Sequence, residues 1–128
     1  MITAASNPTN YTTVFTDGVH SSVSDDTLHN GGSGQGFRPH DLLEAAIATC
    51  INIAVRTCAA REGMPLSGVV TKVSLDRSEP DEAVFHHEVE LRGELTPQQR
   101  SRLLRVANAC PVRRTLMRTI RFEDGQIA

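Results

Sequence analysis

Several features of membrane and secreted proteins are missing from this sequence. Its 128 residues contain no unbroken apolar run that approaches 18 residues, and the longest uncharged helical stretch is residues 45–55. We therefore expect no transmembrane helix and no membrane partner. Residues 1–11 lack both a cation and the apolar core of a secretory signal. The sequence predicts one cytoplasmic domain over residues 1–128, with residues 1–10 loose.

Positive charge is absent from the first 37 residues, which contain three aspartates but no Lys or Arg. All 13 cations follow, and residues 92–121 hold eight arginines against a single acid, Glu94. Aromatic residues make up only 4% of the chain, and none lies among these arginines. Nucleic-acid binding domains combine a basic surface with base-stacking aromatics, whereas the pI here is about 6.2. We expect a solvated face with a few interface ion pairs, and no nucleic-acid partner.

Motifs of several common active sites are absent as well. The glycine-rich residues 30–36 match neither a dinucleotide-binding pattern nor a P-loop, and the only lysine, Lys72, lies far away. There is no G-x-S-x-G, C-x-x-C or H-E-x-x-H. His86 and His87 fall in a predicted strand and point to opposite faces, without a third ligand nearby. The sequence predicts no metal and no cofactor.

The pattern of elements indicates an α+β fold with mostly antiparallel strands. β-Branched and aromatic runs, separated by turn residues such as Asp17-Gly18, predict five strands, at residues 11–15, 19–23, 68–75, 83–91 and 119–122.

Three helices are predicted between these strands. The first runs from about His40 to Glu62, is apolar nearly all round in its middle, and ends at Gly63. A capping box with Thr96 as N-cap opens a second helix that reaches about Ala109. Proline 111 breaks that helix, because a residue before proline disfavours helical angles, and a short helix follows over residues 111–118.

Three cysteines, an odd number, favour free or functional thiols over a disulfide scaffold. Cys50 lies in the apolar middle of the long helix, where a thiol is typically a small packed side chain and where reactivity needs a nearby cation. Cys58 follows eight positions later, about 12 Å along the helix and about 80° around it. Such a pair cannot form an ordinary disulfide, and we interpret Cys58 as structural.

Cys110 stands at a helix break, where partial positive charge favours the thiolate, and Arg113 and Arg114 follow within one turn. A packed thiol and a reactive thiol are equally consistent with that position. If Cys50 and Cys110 meet in the fold, a two-thiol redox site results. The spacing alone leaves open whether they meet.

Three segments together are similar to one known family. Residues 36–50, G-F-R-P-H-D-L-L-E-A-A-I-A-T-C, resemble a helix motif that ends in a cysteine. Residues 60–69 resemble the exit from that helix, and residues 104–116, L-R-V-A-N-A-C-P-V-R-R-T-L, resemble a second cysteine motif. The resemblance covers about residues 10–124, and the family is the OsmC/Ohr superfamily of thiol-dependent peroxidases.

This resemblance implies an OsmC-like fold in which antiparallel sheets flank two central helices, and an intertwined homodimer with its sites at the subunit interface. Cys50 takes the position of the peroxidatic thiol, and Cys110 that of the resolving thiol. The implied partners are a small organic hydroperoxide and an external thiol or dithiol reductant.

Two departures from the family concern the activation of Cys50. Ohr-type enzymes hold the thiolate with an N-terminal arginine, and residues 1–37 contain none. They also use a glutamate ten residues before the cysteine, where this chain has His40, with Asp41 next to it. On a continuous helix that position is about 15 Å away, so any help should come from a partner subunit or after a kink. Arg38, His40, Asp41 and Arg113 are the candidate supporting residues.

The resulting hypothesis is a peroxidase that defends against oxidative and osmotic stress through a Cys50 sulfenic acid and a Cys50–Cys110 disulfide. The alternative hypothesis is a non-catalytic OsmC-like protein that binds a small hydrophobic ligand at the dimer cleft.

Overall fold

The computed structural model describes residues 1–8 and 10–125, and in these residues two antiparallel sheets combine with three α-helices. The predicted α+β fold is confirmed. The chain divides into two compact units, Met1–Ala45 and a second unit that begins at Ala46, and the longest helix crosses this boundary. That one domain spans the whole chain stays a prediction.

A three-stranded antiparallel sheet, in the order β1-β2-β3, forms the first unit: β1 (Thr3–Ser6), β2 (Thr13–Thr16) and β3 (Ser21–Ser24). The β2–β3 hairpin turns at Asp17-Gly18 as predicted, with Gly18 at a φ of 99°. The prediction that residues 1–10 are loose is wrong for β1, which pairs with β2. All four β1 side chains are exposed, so this strand is held through backbone groups that the side-chain pattern does not report.

The glycine-rich segment after β3 is organised by one buried carboxylate, that of Asp25, which is 2% exposed. It accepts hydrogen bonds from Ser33 Oγ at 2.7 Å, from the Ser33 and Gln35 backbone N–H groups at 3.2 and 3.1 Å, and from the Asp26 N–H at 2.7 Å. These donors lower the pKa of Asp25 to about 2. Residues 25–35 are therefore closed around the carboxylate of Asp25.

Helix α1 (Pro39–Arg61) agrees with the predicted helix to within one residue at each end, and Gly63 follows at a φ of 64°. Its buried positions recur every fourth residue, so they form a single stripe. In the second unit this stripe packs against two later helices. The resulting core comprises Ile47, Ile51, Val55, Ala59, Leu103, Ala107 and Cys110.

By length and composition, α1 is apolar enough to cross a membrane, with a mean hydropathy of 1.5 over 18 residues. The core helix of a globular protein can have the same length and hydropathy. We inferred the absence of a transmembrane helix from the lack of long unbroken apolar runs, and this absence stays a prediction. Only 22% of that 18-residue window is buried within the chain.

Strands β4 (Leu66–Asp76) and β5 (Val84–Gly93) form a two-stranded antiparallel sheet in the second unit, slightly longer than predicted. The register places Val69 opposite Leu91 and Val73 opposite His87. Side chains of one face, including Val69, Val73, Phe85, Val89 and Leu91, pack against the core.

Helix α2 (Pro97–Asn108) begins with the predicted capping box: Gln99 N–H donates to Thr96 Oγ1 at 3.1 Å, and Thr96 N–H donates to Gln99 Oε1 at 2.9 Å. Helix α3 (Pro111–Leu116) ends two residues earlier than predicted. The strand predicted at residues 119–122 is wrong, since this exposed stretch is irregular and no strand of the described residues pairs with it. An alternating pattern forms a strand only where a sheet edge accepts it.

A candidate two-cysteine site

Cys50 and Cys110 come together in the second unit, although they are distant in the sequence. Cys110 belongs to the buried core and Cys50 packs against that core, close enough to add to the effect of burial on the pKa of the Cys110 thiol. Cys50 lies in the middle of α1 and is half-buried, whereas Cys110 lies before α3 and is fully buried. The question that the sequence left open is thereby answered: the two thiols share one site.

The position of Cys110 follows from the proline after it. Its backbone is extended, with φ −60° and ψ 144°, and its sulfur caps α3 by accepting the Arg113 N–H at 3.4 Å. Burial raises the pKa of the Cys110 thiol, and the adjacent Cys50 raises it further, while the N–H and the charge of Arg113 act in the opposite direction. The expectation that the helix terminus favours a Cys110 thiolate is corrected here, because burial outweighs it.

Cys50 opens onto a cleft of about 790 Å³ between α1 and the two later helices. One part of its wall is apolar, formed by Ile53, Ala54, Val106, Ala109 and Pro111. Another part is cationic, formed by Arg61, Arg102, Arg105 and Arg114, and the one acid among the lining residues is Glu62. The half-buried thiol therefore faces both an apolar surface and an excess of positive charge.

Cys58, interpreted from the sequence as structural, also lines this cleft. Its thiol donates to Glu62 Oε2 at 2.6 Å, and Arg102 Nε contacts the same oxygen at 3.2 Å. Burial first, and then the carboxylate, raise the pKa of Cys58, and the thiol in turn lowers the pKa of Glu62. The two cleft thiols thus have different surroundings.

Three of the supporting residues predicted from the sequence lie at the start of α1. Arg38 Nη2 contacts Asp41 Oδ1 at 2.7 Å, and the Arg38 N–H donates to Asp41 Oδ2 at 2.9 Å, so the two residues satisfy each other. This pairing holds the pKa of Asp41 below its ordinary value and raises that of Arg38. His40 is exposed. Twelve positions of sequence separate Arg38 from Cys50.

The fourth, Arg113, contacts the site through its backbone N–H on Cys110. Arg114, which the sequence analysis named beside Arg113, does line the cleft. The other cations of the cleft were not singled out from the sequence, because an arginine-rich stretch resembles any solvated face; they are Arg61, Arg102 and Arg105. A signal was present in the spacing of Arg102 and Arg105, three apart on one side of α2. Among the described residues, no three His, Cys, Asp or Glu side chains form a cluster that could hold a metal.

Comparison with known families identifies the chain. Residues 32–123 match the family of OsmC-like proteins. The chain belongs to this family, as the two cysteine motifs predicted. A comparison with curated individual proteins finds no match.

Solved structures show the same fold. An OsmC-like protein from Mycoplasma pneumoniae superimposes with a TM-score of 0.77 at 18% identity, over 91% of this chain and 85% of that one. The organic hydroperoxide resistance protein OhrB of Bacillus subtilis gives 0.64 at 20% identity, over 91% and 89%. An organic hydroperoxide resistance protein OsmC from Legionella pneumophila gives 0.64 at 21% identity, over 91% and 88%.

Proposed function

We propose that this protein is a cytoplasmic thiol-dependent peroxidase that reduces organic hydroperoxides in defence against oxidative and osmotic stress. The observation that carries the proposal is the packing of Cys50 beside Cys110, with Cys50 open to a cleft. Membership of the OsmC-like family supports it, as do structural relatives named organic hydroperoxide resistance proteins. Three free thiols also suit a reducing compartment.

In the proposed reaction, the Cys50 thiolate attacks the distal oxygen of the hydroperoxide. The O–O bond breaks, the alcohol leaves after it takes up a proton, and Cys50 becomes a sulfenic acid. The Cys110 thiol then condenses with it, which forms the disulfide and releases water. Two external thiols restore the dithiol, so that one hydroperoxide and two thiols yield one alcohol, one water and one disulfide.

The different exposure of the two thiols supports this division of roles. Cys50 faces the cleft, which a small hydroperoxide can enter, whereas Cys110 is fully buried and its raised pKa keeps it protonated. A protonated thiol next to Cys50 suits the resolving role, because it waits for the sulfenic acid rather than competing for peroxide.

We also propose that the protein works as a homodimer. Most residues of the apolar 18-residue stretch of α1 are not buried within the chain. One of them, Ile53, is 67% exposed and lines the Cys50 cleft. A second copy would cover this surface. In such a dimer the activating cation for Cys50 comes from the start of α1 of the partner.

The test is peroxide consumption with a dithiol reductant. Cys50→Ser should abolish it, and Cys110→Ser should leave one rapid turnover to a sulfenic acid, trapped with a dimedone-type reagent, but slow further cycles. Cys58→Ser is the matched control in the same cleft and should keep the activity. Full activity in Cys50→Ser would overturn the proposal.

The apolar wall of the cleft favours one second candidate, a non-catalytic protein that binds a small hydrophobic ligand there. That candidate requires a Cys50 thiol with an ordinary or raised pKa. Measuring the alkylation rate of Cys50 against pH distinguishes the two, since a strongly lowered pKa supports the peroxidase and contradicts the binding protein.

A further inference from the structure

We infer that the Cys50 cleft binds a thiol that carries a carboxylate, and that this anionic thiol reduces the disulfide by attacking the Cys50 sulfur. The inference rests on the proposed function and names the chemical class of its reductant. The observations behind it are the burial of Cys110 and the arginines that line the cleft.

Burial determines which sulfur an external thiol can reach. Cys110 is 0% exposed in the second unit, under the core side chains of α1 and α2. Cys50 is half-buried and lines the cleft. Thiol–disulfide exchange requires the incoming sulfur to approach the attacked sulfur directly. The reductant therefore enters the cleft and forms its mixed disulfide with Cys50.

Charge determines which thiols the cleft favours. Of its four arginines, Arg102 is balanced by Glu62 at 3.2 Å. Arg61, Arg105 and Arg114 form no ion pair with any acid in the described part of the chain; Arg105 donates to the neutral Ser101 Oγ at 3.1 Å. Three uncompensated cations around one cleft attract an anionic ligand.

The redox state of Cys50 decides when this attraction is strongest. The thiolate of Cys50 that the proposed reaction requires would offset one of the cations, whereas the sulfur of a Cys50–Cys110 disulfide carries no charge. The cleft is thus most positive when the disulfide awaits reduction. The cleft therefore attracts an anionic reductant, which meets the disulfide form, more strongly than an anionic oxidant, which meets the thiolate form. Once the Cys50 thiolate has formed again, the attraction weakens and the ligand leaves.

The exchange balances in two steps. The thiolate of the first reductant molecule bonds to Cys50 Sγ, the bond between the two cysteines breaks, and Cys110 leaves with the electron pair and takes up a proton. A second reductant thiolate attacks the reductant sulfur of the mixed disulfide and releases the Cys50 thiolate. Two reductant thiols are oxidised to one disulfide, and the protein disulfide is reduced by two electrons.

The experiment measures reduction of the oxidised protein without any peroxide. Protein oxidised with diamide is mixed with 3-mercaptopropionate, 2-mercaptoethanol or cysteamine, and each rate is divided by the concentration of reductant thiolate. We expect the anionic thiol to be fastest and the cationic thiol slowest, with the difference shrinking in high salt. These comparisons use the wild-type chain and need no variant to fold.

Variants assign the effect to the cleft. Arg105→Gln and Arg114→Gln should each lower the advantage of 3-mercaptopropionate over 2-mercaptoethanol by about two- to fivefold, the range of a single solvated ion pair. Arg77→Gln removes the same charge from the β4–β5 turn, outside the cleft, and should leave the ratio unchanged.

A parallel measurement on the reduced protein compares the alkylation of Cys50 by iodoacetate and iodoacetamide. Tryptic cleavage after Arg56 separates Cys50 from Cys58. A preference for iodoacetate that falls in both cleft variants supports a cleft that attracts anions.

If the disulfide forms but all three thiols reduce it equally per thiolate, the inference is overturned and the proposed function stands. If no Cys50–Cys110 disulfide forms, both are overturned.

Discussion

The thiol of Cys58 donates its hydrogen to Oε2 of Glu62 at 2.6 Å, four residues later and just after the end of α1. Burial raises the pKa of Cys58, and the carboxylate that accepts this hydrogen raises it further because it favours the protonated thiol. Cys58 lines the same cleft as Cys50. Burial and the carboxylate together therefore favour the neutral, poorly nucleophilic form of one of the two cleft thiols.

Glu62→Gln should make Cys58 more reactive. A neutral amide removes the negative partner, so the pKa of Cys58 falls toward its ordinary value and more thiolate is present at a given pH. Iodoacetamide labelling near pH 8, followed by peptide mass spectrometry, should show a rise of about twofold or more at Cys58. Glu123→Gln, which breaks the exposed ion pair with Arg121, is the control and should change nothing. Slower labelling of Cys58 in Glu62→Gln would contradict this account.

Cys110 also has a structural role that can be measured apart from chemistry. Its sulfur caps α3 and fills a fully buried position, so Cys110→Ala should lower the free energy of unfolding by about 1–2 kcal/mol. Urea denaturation of the reduced protein measures this value. Cys58→Ala, which removes a thiol from the edge of the core, should cost less. Equal losses in the two variants would show that the cap contributes nothing.

The pKa of Asp25 predicts how stability depends on pH. Its folded pKa of about 2 lies below its ordinary value of 3.8, so its contribution is fully present above about pH 4 and is lost as the pH falls toward 2. Asp25→Asn should therefore be less stable than wild type above pH 4, and the two should converge near pH 2. Urea denaturation between pH 2 and about 6 measures this difference, with Asp81→Asn, a turn substitution, as control. A difference that stays constant over this range would contradict the prediction.

Two neighbouring leucines of α2 test the core. Leu103 is 0% exposed and Leu104 is 42% exposed, although the two residues are adjacent in the helix. Leu103→Ala should lower the free energy of unfolding by about 2–5 kcal/mol, and Leu104→Ala by clearly less in the monomer. A comparable loss in Leu104→Ala would indicate that another surface, such as a second copy, covers it.

Local signals in the sequence were enough to predict the helices. Gly63 ends α1, because it adopts a positive φ at low cost, and Thr96 with Gln99 starts α2. Proline 111 places the break before α3. Each of these signals acts within a few residues, which is why the sequence carries them.

Strands were predicted less well, since a strand depends on a distant partner. β1 was missed because its four polar and small side chains are all exposed and only its backbone pairs with β2. The alternating residues 119–122 have a suitable pattern but pair with no strand in the described part of the chain. In both cases the available sheet edge decided the outcome.

For the candidate site too, local sequence determined some features and the tertiary structure determined the others. The sequence alone determined that Cys50 lies inside an apolar helix and that Cys110 precedes a helix-starting proline, because both depend on neighbouring residues. Only the tertiary structure brought the two thiols together, buried one of them, and collected arginines from α1, α2 and α3 around the other. The packing of the three helices joins residues that are far apart in the chain, and no local pattern in the sequence encodes that packing.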